Sequence, residues 1–92
     1  MKEHHIEQAL KTAVETSGGL CWKLTSPGVA GVPDRLCLKN GRAVFVEVKT
    51  PGKQPRPIQA RRIQQLRDHG FTVLVVDQVE QIEEVLDALS AA

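Results

Sequence analysis

Asp34-Arg35-Leu36-Cys37-Leu38-Lys39-Asn40-Gly41-Arg42-Ala43-Val44-Phe45-Val46-Glu47-Val48-Lys49 is the stretch on which the fold turns. Asn40-Gly41 is a strong hairpin signal, because both residues accept positive φ. It predicts two antiparallel strands, Arg35 to Leu38 and Ala43 to Lys49. With a two-residue turn, Lys39 pairs with Arg42, Leu38 with Ala43, Leu36 with Phe45 and Asp34 with Glu47. The two carboxylates then lie opposed on one face, with Cβ atoms about 4.5–5.5 Å apart. Lys49 is two residues beyond Glu47 and points to the same side.

Outward from the hairpin the chain alternates helical and extended patterns. Ile6, Leu10, Ala13 and Val14 predict a helix from about Glu3 to Ser17, stopped by Gly18-Gly19. Leu20 to Leu24 reads as a short strand, and Thr25 to Pro33 as a loop with two prolines and two glycines. The run Ala43-Val44-Phe45-Val46 does not alternate, which predicts cover on both faces. After a linker, Thr50 to Pro57, a helix opens on Pro57 and runs to about His69. Gly70 ends it, and Phe71 to Val76 is a fourth strand. Asp77 and Glu80 have capping-box spacing before a last helix with Val79, Ile82, Val85, Leu86 and Leu89 on one stripe. The order α-β-β-β-α-β-α predicts an α/β fold in one domain, residues 1–92. The helical crossover makes the third and fourth strands parallel, giving a mixed four-stranded sheet flanked by helices.

Like charges opposed across a sheet are unfavourable. Three remedies exist: protonation, pairing with cations, or a bound metal. Two carboxylates with open space in front suit Mg²⁺, which keeps several waters and completes its octahedron with substrate phosphate oxygens. Such an ion polarises a phosphoryl oxygen and helps ionise water. Lys49 is placed to orient that water or to stabilise developing negative charge. A salt-bridged strand end is the plain alternative.

The net charge of +1 hides an asymmetry. Lys49, Lys53, Arg56, Arg61, Arg62 and Arg67 follow one another with no acid between them, whereas Asp77, Glu80, Glu83, Glu84 and Asp87 have no base among them. The first set could neutralise phosphates and the second would be repelled by them. Aromatic content is 3%, and Trp22, Phe45 and Phe71 all stand in strand-like runs, which disfavours a single-strand-binding platform. No apolar run is long enough for a membrane span, and no secretory signal opens the chain. Cys21 and Cys37 read as a buried, reduced pair, which points to a cytoplasmic protein. Adjacent His4 and His5 project to different sides of a helix, and no Cys-x-x-Cys exists for zinc.

Gly31-Val32-Pro33-Asp34-Arg35 followed by Phe45-Val46-Glu47-Val48-Lys49 resembles the signature of PD-(D/E)XK nucleases. More narrowly the chain resembles the short, stand-alone VRR-NUC branch of phages and bacteria. The likeness extends to Gly18-Gly19, Lys23, Gln59 and Gly70 and covers nearly the whole length. It implies a restriction-endonuclease-like core and a metal-dependent endonuclease acting on DNA. Asp34 and Glu47 would be metal ligands with the Val48 carbonyl as a third, and Lys49 the catalytic lysine. Glu7 would be the first-helix acid, although Glu3, one turn earlier, could hold that place. Gln59 would touch the site or the scissile phosphate. Mg²⁺ is the implied cofactor, with Mn²⁺ substituting, and no organic cofactor is implied. Branched DNA such as a four-way (Holliday) junction, homodimeric action and a bacterial or phage-host cytoplasm are implied by the same analogy.

Lys23, Lys53, Arg56, Arg61 and Arg62 are candidates for contacts to the DNA backbone. A module that holds branched nucleic acid for a partner enzyme without cutting it is the competing function. A purely structural interaction domain is a further alternative.

Overall fold

The computed structural model describes residues 2–90. The elements are α1 (Glu3–Thr16), β1 (Leu20–Lys23), β2 (Arg35–Lys39), β3 (Arg42–Val48), α2 (Pro57–Asp68), β4 (Thr72–Val76), a short 3₁₀ turn (Val79–Gln81) and α3 (Ile82–Ser90). The strands form one sheet in the order β1-β2-β3-β4. β1–β2 and β2–β3 are antiparallel and β3–β4 is parallel. The expected mixed four-stranded α/β architecture is therefore the one observed.

The hairpin register is also the expected one. Lys39 pairs with Arg42, Leu38 with Ala43 and Leu36 with Phe45. Asn40 and Gly41 take φ of 50° and 80°, the mirror-image turn whose twist matches that of the flanking strands.

Because side chains alternate along strands, the sheet has two distinct faces. Cys21, Cys37, Val44, Val46, Val48 and Val76 point to one side and join Ile6, Leu10 and Val14 of α1 and Ile82, Val85 and Leu89 of α3 in the main core. The other side carries Trp22, Leu36, Phe45 and Val73 in one row. α2 packs there over β4, burying Ile63 and Val73. Cover over β3 is thus complete on the core side but partial on the other, where Phe45 is half-buried. The basic helix α2 and the acidic helix α3 consequently lie on opposite faces.

The start of the last helix differs from the capping box expected at Asp77 and Glu80. Gln81 Oε1 accepts from the Asp77 and Gln78 amides at 2.7 and 3.2 Å. The Asp77 carboxylate turns away and accepts from Gly52 N at 3.1 Å. It thereby anchors the linker that leaves β3.

Candidate active site

Asp34 lies one residue before β2, where the chain arrives from the Thr25 to Pro33 loop. Gly31 holds that loop against α2. Its φ is +84°, and a Cβ there would stand 2.9 Å from Ile58, so a larger residue would push the loop away. Leu24 N donates to Asp34 O at 2.9 Å, continuing the β1–β2 ladder. The Asp34 side chain turns toward β3, and Oδ2 accepts from Val48 N at 2.9 Å.

Glu47 sits in the middle of the sheet, opposite Val75 on the β4 side, and is 1% exposed. Lys49 Nζ stands 3.3 Å from Glu47 Oε2. Glu47 Oε1 is buried with no hydrogen-bond partner. Burial above all, and then the Asp34 charge, push the Glu47 carboxyl above its ordinary pKa; Lys49 offsets this only in part. The Glu3 charge acts in the same direction as that of Asp34. Asp34, Glu47, Val48 and Lys49 are thus gathered at one end of β3.

A buried carboxylate oxygen without a donor is costly, and a cation is one group that would satisfy it. The donors at hand are all oxygens, which suits a hard ion such as Mg²⁺. Among the described residues no group of three or more His, Cys, Asp or Glu could hold a metal ion. A site here would therefore rest on one or two carboxylates, backbone and water.

Glu7 of α1 is engaged by two cations. Its Oε2 accepts from Arg35 Nε at 2.7 Å and from Lys23 Nζ at 2.9 Å. Burial alone would raise the Glu7 pKa, but these two hydrogen bonds and charges outweigh it and hold the group below the usual range. Arg35, 8% exposed, also donates to Cys21 O at 3.4 Å. Glu7 thus neutralises a buried arginine, while the Glu3 charge is the one from the first helix that acts on Glu47.

Gln59 is buried in the first turn of α2, and its Oε1 accepts from Arg56 N at 2.8 Å. It makes no hydrogen bond to Asp34, Glu47 or Lys49 among the described residues, and its NH₂ is the part left to donate outward. Among the basic candidates, Lys53, Arg56 and Arg61 are exposed. Arg62 is otherwise engaged: Nε donates to Ala30 O at 2.8 Å and an Nη atom to Gln65 at 3.0 Å, so it braces the loop before Asp34. Lys23 is tied to Glu7 while 60% exposed. The role of Arg35 escapes sequence reading, since nothing marks it as buried beyond its alternation with Asp34.

No family model matches the chain. A curated relative, "Putative nuclease p44" of Acyrthosiphon pisum secondary endosymbiont phage 1, is 41% identical over 91 residues, covering 98% of this chain and 97% of the relative. A solved structure described as a VRR_NUC domain superposes with a TM-score of 0.87 at 31% identity, covering 95% of this chain and 97% of that one. A second, described as a VRR_NUC domain protein, shares the fold with a TM-score of 0.77 at 17% identity, covering 100% of this chain and 91% of the other. No helix of the described residues is long and apolar enough to cross a membrane.

Proposed function

The chain belongs to the VRR-NUC family of nucleases, and we propose that it hydrolyses DNA phosphodiester bonds with a divalent metal held at Asp34 and Glu47. The observation that carries this reading is the orphaned Glu47 Oε1, buried beside Asp34 at the strand end that also bears Lys49. Mg²⁺, or Mn²⁺ in its place, would be held by the two carboxylates with the Val48 carbonyl. When bound it supplies a polarised phosphoryl oxygen and a water acidified toward hydroxide.

The chain's own groups do the rest. The Val48 amide fixes the Asp34 carboxylate from behind. Lys49, held by Glu47 and largely buried, presents an ammonium where negative charge develops on phosphorus oxygens. Gln59 offers its NH₂ to a phosphate. Lys53, Arg56 and Arg61 would meet the backbone of the DNA and set affinity. The presence together of Asp34, Glu47 and Lys49 at one strand end argues against a module that binds without cutting. Branched DNA, four-way junctions in particular, is the proposed substrate class, with two copies of the chain acting together.

The test is a panel of labelled duplex, flap and four-way-junction DNAs incubated with and without Mg²⁺. Metal-dependent cutting strongest on the junction is the expected result. Binding to every substrate with no cutting under any metal would favour the non-cleaving module instead.

A further inference from the structure

The chain has two cysteines, and the nuclease chemistry uses neither. They stand 16 residues apart in sequence, yet the fold sets Cys21 of β1 directly opposite Cys37 of β2. Both are free thiols, 3% and 0% exposed. The Cys37 thiol donates to Cys21 Sγ at 3.7 Å. A buried cysteine by itself is a small apolar side chain that fills space. Packing alone does not require both sulfurs of the chain to meet, since alanine or valine fills such strand positions as well.

The register leaves room for a bond between them. Leu24 N donates to Asp34 O, which makes Leu24–Asp34 a hydrogen-bonded pair of the β1–β2 ladder. Such pairs alternate with non-hydrogen-bonded ones. Cys21–Cys37, three residues along, is therefore a non-hydrogen-bonded pair, the closer kind, with Cα atoms about 4.5 Å apart. That spacing lies at the short end of the range of about 4.4–6.8 Å that a disulfide spans. A link closed there is more readily reduced than one at the usual spacing, which makes it reversible.

The two thiols are also unlike. The hydrogen bond from Cys37 favours the Cys21 thiolate; burial opposes it, the Arg35 charge supports it, and the Glu15 and Glu7 charges oppose it without cancelling the effect. The same hydrogen bond, together with burial, keeps the Cys37 thiol protonated. Cys21 is thus the attacking sulfur and Cys37 the resolving one. Access comes from the sheet edge. β1 is four residues long and pairs on one side only, and its neighbours Leu20 and Trp22 are 48% and 57% exposed. A short, exposed edge strand opens locally at a small fraction of the global cost.

We propose that Cys21 and Cys37 form a thiol–disulfide exchange site that takes a small-molecule disulfide and closes into a cross-strand link. The Cys21 thiolate attacks one sulfur of the reagent, forming a mixed disulfide and releasing a thiolate that takes up a proton. Cys37 then gives up its proton, attacks Cys21 Sγ and expels the second thiol. Two cysteine thiols are oxidised to one disulfide, and the reagent is reduced to two thiols. The closed loop contains Lys23, the Thr25 to Pro33 segment and Asp34, so the link ties down the segment that brings Asp34 to β3. The exchange needs neither metal nor DNA and stands apart from the nuclease reading.

The test treats the intact, reduced chain with excess oxidised glutathione under native conditions and reads its mass, free thiols and Tm. The chain should lose two hydrogens, retain no free thiol, carry no adduct and stay a single covalent chain. Its Tm should rise by roughly 10 °C, as for a link closing a loop of this length, and dithiothreitol should restore the starting value. Cys37→Ala should stop at one glutathione adduct, on Cys21, with no such rise. Should that variant fail to fold, wild type quenched early with acid should show the same adduct on Cys21 by peptide mapping. Thiols that stay free in the native chain but oxidise in denaturant overturn the proposal. So do a link between two chains, adducts on both cysteines, a closed link that leaves Tm unchanged or lower, or a folded Cys37→Ala chain that takes no adduct.

Discussion

Lys49 Nζ lies 3.3 Å from Glu47 Oε2, while the other oxygen of that carboxylate is buried without a partner. The ammonium satisfies one side of the group and leaves the other bare, while the Asp34 charge disfavours the ionised form. A fold optimised for stability alone would place an amide or an apolar side chain there. Stability surrendered at one position is common where function needs the group.

Glu47→Gln should therefore stabilise the metal-free protein. The raised Glu47 pKa means that the folded chain binds the proton more tightly than the unfolded one. The stability linked to that proton is present below the ordinary carboxylate pKa and is lost as pH rises through the raised value. Glutamine fixes the neutral form. A gain on the order of 1 kcal/mol at neutral pH is expected, seen as a rise in Tm of roughly 4–8 °C by calorimetry. The same variant should lose any upward shift of Tm on adding Mg²⁺. A lower Tm without metal would remove the strain assigned to this carboxylate.

Lys49→Met should separate metal binding from chemistry. Single-turnover cleavage should fall by about 10²–10³, the usual effect of removing one group that stabilises developing charge. The metal-dependent Tm shift should survive, because Asp34 and Glu47 remain. Cutting at the wild-type rate would take Lys49 out of the mechanism.

Glu7→Gln should act on stability rather than on the site. It leaves Arg35 buried without its counter-ion, at a cost of about 3 kcal/mol. Lys23, being mostly exposed, adds little. Glu7 is held below its ordinary pKa, so its contribution is full above that ordinary value and disappears as pH falls through the depressed one. Denaturant titrations across acid pH should show a shallower loss of stability in the variant. A variant as stable as wild type but unable to cut would return Glu7 to the active site.

Arg61→Ala and Arg62→Ala should differ although the residues are neighbours. Arg61 is exposed and its side chain makes no hydrogen bond among the described residues; its loss should lower the salt dependence of DNA binding by about one phosphate contact. Arg62 holds Ala30, so its loss should loosen the loop that delivers Asp34 and raise its hydrogen exchange. Equal salt slopes and equal exchange in the two variants would contradict the division.

The hairpin explains why so much was legible from sequence. Asn40-Gly41 fixes the register of β2 on β3 through local backbone geometry alone, and the crossover through α2 fixes the direction of β4. Those two constraints place Asp34, Glu47 and Lys49 on one face before any tertiary detail is known. What was missed depends on competition between side chains. Asp77 and Glu80 have the spacing of a cap, but Gln81 reaches the same amides and frees Asp77 for Gly52. Glu3 and Glu7 are one turn apart and look alike by pattern; the pairing of Glu7 with the buried Arg35 is a contact that no pattern announces. Nor does an apolar strand reveal whether a helix covers it, so the exposure of Leu20 and Trp22 came only with the fold.

The measurement closest to the central claim compares wild type and Asp34→Asn on one labelled four-way junction, in Mg²⁺ and in chelator, with binding followed by gel shift alongside cleavage. Wild type should cut in Mg²⁺ and fall silent in chelator, while the variant binds the junction and leaves it whole. Equal cutting by the variant, or undiminished cutting by wild type in chelator, would contradict a metal site built on Asp34 and Glu47.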